Sequence, residues 1–204
     1  MWHKPELTPS WSASMLQEND RALKEWAVVC HALQTGRQIM LLRKGGIHEE
    51  NGAFRVDDPE FFLMPTFEHQ DKDLLKPEAI PELERVRAAE YSPSFVTLNN
   101  YALVHYVTAA ASDEALQKLA PYHIWNDRYI RMRLDYNPYD PLYVILLRVY
   151  RLPEPITLPM LNRYGGCKSW VTLERPLPTG GAEPVLNDRE FDHRITQVQR
   201  ILEG

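Results

Sequence analysis

PLYVILLRVYRLP, residues 141–153, is an apolar run broken only by Arg148 and Arg151 and bounded by prolines. Its β-branched and aromatic content predicts a strand, and its near-continuous apolarity predicts burial on both faces. A sheet covered on both sides needs helices or a second layer around it, so this stretch sets the fold class. Reading outward, QIMLLRK (38–44) is a second buried strand, expected beside the first in one sheet and with it the most buried part. EFFLMPTF (60–67) is a strand closed by Pro65, SFVTLNNYALVHYVTAAA (94–111) alternates as a strand, and CKSWVTLER (167–175) is another after the Gly165-Gly166 turn.

Helices are expected around these strands. Asn19 or Asp20 is read as the cap of a helix through Ala22, Trp26, Val29 and Leu33, stopped at Gly36. Alternation in EWAVVCHAL (25–33) also permits a strand there. Asp71 to Glu90 reads as helical around Pro77 and Pro81, and Ser112 caps a short helix before Pro121. A last helix, capped by Asn187 or Asp188, places Phe191, Ile195, Val198 and Leu202 on one stripe. The expected class is α+β, a mixed and mostly antiparallel sheet with peripheral helices and a C-terminal helix over about 188–203. Residues 1–18 read as a loose arm and 19–204 as a single domain.

Hydrophobic residues make up 44% of the 204, enough for a core, and no run reaches the roughly 18 apolar residues of a membrane span. The N-terminus lacks the apolar stretch of a secretory signal, and Cys30 and Cys167 are widely separated. A cytoplasmic protein with reduced thiols is therefore expected, without a membrane role. The net charge of −5 is uneven. Residues 128–175 carry 8 Lys and Arg against 4 Asp and Glu, while the preceding segment is acidic. Such a basic segment points either to an anionic ligand or to pairing within the chain.

Four groups of residues carry possible chemistry. Arg43, Lys44, Gly45 and Gly46 end a strand in a turn whose backbone N–H groups and cations suit a phosphate; the alternative is a plain strand exit with solvated charges. HIWNDRYIRMRLDYNPYDP (123–141) interleaves Trp125 and Tyr129 with Arg131 and Arg133, a pattern suited to stacking bases and contacting phosphates. The alternative there is a core aromatic set whose arginines pair with Asp127, Asp135 and Asp140. His69 with Glu60 or Glu49 is the candidate acid–base group, and His48 and His69 would be the metal ligands, but no metalloprotease or zinc-finger spacing is present. Cys167 after Gly-Gly is a possible nucleophile or a small core residue. No metal and no cofactor is implied.

The blocks ALKEWAVVCHAL (22–33), LLRKGGIHE (41–49), EFFLMPTFEHQ (60–70), LYVILLRVYRL (142–152) and GGCKSWVTL (165–173) together resemble the uncharacterised bacterial domain-of-unknown-function family DUF1802. The resemblance covers about residues 20–175. It implies no catalytic role, since that family has no established activity. Some members are associated with an Mrr-type restriction-endonuclease domain, which implies a restriction–modification or defence context. The helix, Gly-turn and QIMLLRK are also faintly similar to the opening of small PUA-like RNA- and modified-base-binding barrels. The expected function is recognition of nucleic acid or another phosphate-bearing ligand. An enzyme on a small anionic or nucleotide substrate is the alternative, and a non-catalytic protein-interaction domain the third.

Overall fold

The computed structural model describes residues 15–44, 48–50, 53–55, 58–110, 112–136, 139–166 and 168–203. Strands β1 (Glu18–Trp26), β2 (Met40–Arg43), β5 (Glu60–Thr66), β6 (Phe95–Ala109), β7 (Tyr143–Pro159) and β8 (Trp170–Pro178) form one sheet in the order β2-β7-β6-β5-β1-β8. The short β9 (Glu183–Pro184) pairs with β7, and β3 (His48–Glu50) with β4 (Ala53–Arg55) makes a separate ladder. All pairings are antiparallel except β1 with β5. The class is α+β, as the strand pattern predicts.

The two stretches read as most buried do lie side by side. Met40, Leu41 and Leu42 of β2 pair with Leu146, Ile145 and Val144 of β7, and all are buried. β2 ends the strand order, yet it is not an exposed edge. Its Arg43 reaches the Lys24 carbonyl and the Glu25 carboxylate on β1. The sheet therefore curls until its end strand meets a strand four places away.

β5 shows why a continuous apolar run is needed here. Side chains alternate across a strand, so Phe61 and Leu63 enter the main core while Phe62 and Met64 enter a second core on the opposite face. Pro65 does not close this strand. It lies within β5, opposite Glu25 of β1 and beyond the last β6 partner.

Among the described residues five α-helices surround the sheet: α1 (Ala27–Gln34), α2 (Ile80–Glu90), α3 (Asp113–Lys118), α4 (Asp127–Asp135) and α5 (Asp188–Glu203). The helix expected from Asn19 is corrected. Residues 18–26 are strand, and only residues 27–34 are helical. Tertiary pairing decided it, because Ala22 and Leu23 sit between β5 and β8 and are buried on both faces. Gly36 follows α1 at φ 69°, and a Cβ there would meet Leu186 at 2.6 Å, so glycine is required by conformation and by space. The Asn19 or Asp20 cap is lost with that helix, but the other two form: Ser112 Oγ accepts from Ala115 N at 3.1 Å, and Asn187 Oδ1 from Glu190 N at 2.9 Å. Phe191, Ile195, Val198 and Leu202 of α5 are all buried.

Candidate functional site

The cations read as ligand contacts at the end of β2 are engaged within the chain. Arg43 donates through Nη2 to the Lys24 carbonyl at 2.6 Å and pairs with Glu25 Oε2 at 3.0 Å. Glu25 Oε1 in turn accepts from Trp26 N at 2.8 Å. Lys44 Nζ donates to the Leu134 carbonyl at 2.6 Å, a cation placed on the last turn of α4 where the helix dipole favours it. Gly45, Gly46 and Cys167 lie outside the described residues, as do the side chains of His48 and Glu49.

The aromatic–arginine segment folds inward. Asn126 Oδ1 accepts from Tyr129 N and starts α4, and the four-residue spacing then turns Tyr129 and Arg133 to one side. Trp125 and Tyr129 are 1% and 2% exposed and stack on each other at 4.9 Å. Arg133 donates through Nε to the Tyr129 hydroxyl at 3.1 Å, while burial and the Glu25 charge push that hydroxyl's pKa up. Neither ring offers a free face to a base. Of Trp125, Tyr129, Arg131 and Arg133, only Arg131 is exposed, with no partner among the described residues.

The structure does not bring Glu60 and His69 together. They sit before and after the length of β5, on the order of 20 Å apart at about 3.3 Å per residue. Glu60 is buried and accepts from the Tyr101 hydroxyl and from Leu16 N, both at 3.0 Å. Its carboxylate is a fixed structural acceptor. His69 is exposed, in a turn with φ 60°.

What these elements do assemble is a cleft at the end of the sheet where β1 and β5 both finish. β6 begins and β7 ends at the same place, and Met160 N bonds to the Ser94 carbonyl at 2.8 Å. The cleft encloses about 680 Å³ and is lined by Lys24, Thr66, Phe67, Arg87, Tyr91 and Phe95, among others. Ser92 Oγ accepts from Phe95 N at 3.2 Å and fixes the turn that presents Phe95. Tyr91 and Phe95 are 59% and 53% exposed, and Phe67 meets Tyr91 edge-on at 5.4 Å.

Lys24 is the unusual member. It is only 8% exposed, and its Nζ donates to the Gly166 carbonyl at 2.8 Å. It makes no ion pair among the described residues. A buried ammonium without a counter-charge is costly, and it has three donors to satisfy. The sequence reading missed it because a helix from Asn19 leaves Lys24 an ordinary surface residue. Read as a strand, RALKEW places Lys24 on the same side as the buried Ala22, and that is the signal that could have found it.

A family model described as Domain of unknown function (DUF1802) matches residues 22–197. The chain belongs to this family. The blocks whose resemblance pointed to DUF1802 thus lie within the matched span. No curated protein matches this DUF1802 chain. Solved structures similar to it include two forms of one protein. The ASCH protein of Zymomonas mobilis is 10% identical, covering 86% of this chain and 93% of its own, with a TM-score of 0.41. A mutant of that protein is 9% identical, covering 89% and 98%, with a TM-score of 0.40. Likeness at this level assigns no ligand and no site. Among the described residues no cluster of His, Cys, Asp and Glu is arranged to hold a metal, and no helix is long and apolar enough to cross a membrane.

Proposed function

We propose that the cleft at the carboxyl ends of β1 and β5 recognises a nucleotide unit of nucleic acid. The supporting observation is Lys24, a buried cation without an ion-pair partner among the described residues, in a cleft walled by exposed aromatic rings. A phosphate supplies the missing charge, and a base lies against Tyr91 or Phe95. Charge-assisted bonds of this kind contribute about 1.5–3 kcal/mol, and stacking a base about 1–3 kcal/mol. Arg87 at the same rim adds a second cation.

Under this proposal residues 19–204 act as one cytoplasmic domain that recognises nucleic acid without cutting it, in an accessory role within a restriction–modification or defence context. The test is calorimetric titration of the full chain with a 5′-mononucleotide, its nucleoside and inorganic phosphate. The nucleotide should bind best, and Lys24→Met should weaken it at least tenfold without unfolding the chain. Equal binding by the parent and Lys24→Met proteins would sink the proposal. Turnover of the nucleotide during the titration would favour an enzyme instead.

A further inference from the structure

The cleft does not end at Arg87. A second hollow of about 410 Å³ adjoins it, lined by Gln70, Asp71, Lys72, Leu83, Glu84 and Arg87. Arg87 lines both. One wall of each is formed by the end of β5 and the segment after it: residues 65–68 bound the first hollow and 70–72 the second. The other wall is α2 and the turn after it. The two hollows thus meet at Arg87 and together make a groove along α2.

Gln70, which lines the second hollow, has a polar group left over. Gln70 is buried, and its Oε1 accepts from Val28 N at 3.1 Å near the start of α1. That backbone donor identifies the oxygen, since an N–H must face an acceptor. The remaining amide nitrogen is buried without an acceptor among the described residues. Lys72, on the rim, is exposed and has no ion pair among the described residues.

We infer that the groove takes a single-stranded nucleic acid at least two nucleotides long in preference to a free mononucleotide, an inference that rests on the nucleotide reading of the cleft. One nucleotide occupies the aromatic cleft and the next occupies the Gln70 hollow. Arg87 contacts the phosphate between them, and Lys72 the phosphate that follows. Asp71 and Glu84 offset part of that charge, so the dependence on ligand length discriminates better than affinity alone.

The experiment compares a 5′-mononucleotide with matched four-nucleotide ribo- and deoxyribo-strands on the full chain, by calorimetry at several salt concentrations. The four-nucleotide strand should bind at least tenfold more tightly, with a steeper salt dependence by about 0.7 per added phosphate contact. In Lys72→Ala the ratio of strand to mononucleotide affinity should fall at least threefold. Equal affinity for strand and mononucleotide overturns this inference and leaves the cleft reading standing. So does a ratio that ignores Lys72→Ala, because the second hollow is then unused. Binding of neither ligand overturns both.

Discussion

Arg43 and Lys24 are neighbours with opposite fates. The Arg43 guanidinium bonds to the backbone carbonyl of Lys24 itself, and both side chains are largely buried. Arg43 has Glu25 as counter-charge, with Ser169 Oγ a further acceptor at 3.3 Å. Lys24, on the cleft side of β1, has a single carbonyl as partner among the described residues. Arg43, conspicuous in the sequence, is neutralised by Glu25, while Lys24, the cation proposed to meet a ligand, is inconspicuous. A charge marks a site by what it lacks around it, and that is decided by pairing between distant strands.

The strongest way to break this contrast is to remove the paired side. Arg43→Ala leaves Glu25 buried without its partner, and chemical denaturation should show a loss of about 3–5 kcal/mol. The double change Arg43→Met with Glu25→Gln should cost much less than the two single changes added together. If Arg43→Ala instead melts like the parent, the pair is not what holds β2 against β1.

A buried group that the fold keeps neutral sharpens the comparison through pH. Burial, helped by the Lys76 charge, pushes the His123 imidazole down to about 4. Between its ordinary value and 4 the unfolded chain holds the proton and the folded chain does not, so stability falls as pH falls. The contribution is full above roughly pH 6.5 and is lost toward pH 4, reaching about 3 kcal/mol. His31 and His105 are also lowered by burial and act in the same direction. Thermal melts from pH 7.5 to 4.5 should show the slope, and His123→Phe should flatten part of it.

Lys24→Met should reverse the Arg43 result. It removes a buried charge that lacks an ion-pair partner among the described residues, so stability should change by less than about 1 kcal/mol in either direction while nucleotide binding is lost. A loss as large as that of Arg43→Ala would make Lys24 a structural residue and erase the distinction. The smallest effect belongs to Arg131, exposed on α4. Arg131→Ala should change stability by less than about 0.5 kcal/mol and leave nucleotide affinity within about twofold, as measured by the same titration.

Long apolar runs and helix caps were legible in the sequence because they are local. PLYVILLRVYRLP, QIMLLRK, Ser112 and the α5 stripe needed only side-chain periodicity and cap chemistry. The segment 18–26 was not legible as a strand, since its spacing also fits a helix and the choice is made by β5 and β8. The same ambiguity hid Lys24. In HIWNDRYIRMRLD the alternation of ring and cation was visible, but a helix turns Trp125 and Tyr129 together into the core. Tyr91 and Phe95 flank a Ser-Pro-Ser turn and looked like the ends of two elements. Their proximity to Lys24 comes from the sheet.

The parallel pairing of β1 with β5, and the seating of β1 between β5 and β8, has a consequence for synthesis. The strand that closes the outer side of β1 ends at residue 178, while β1 itself ends at residue 26. At about 5–20 residues per second, β1 waits on the order of 10–30 s on the ribosome with a hydrogen-bonding edge unfilled. Contacts across so long a separation also slow folding once the chain is free. The nascent N-terminal half is therefore the stage at which this protein is open to wrong strand partners, and a chaperone that shields the edge of residues 18–26 would raise its yield.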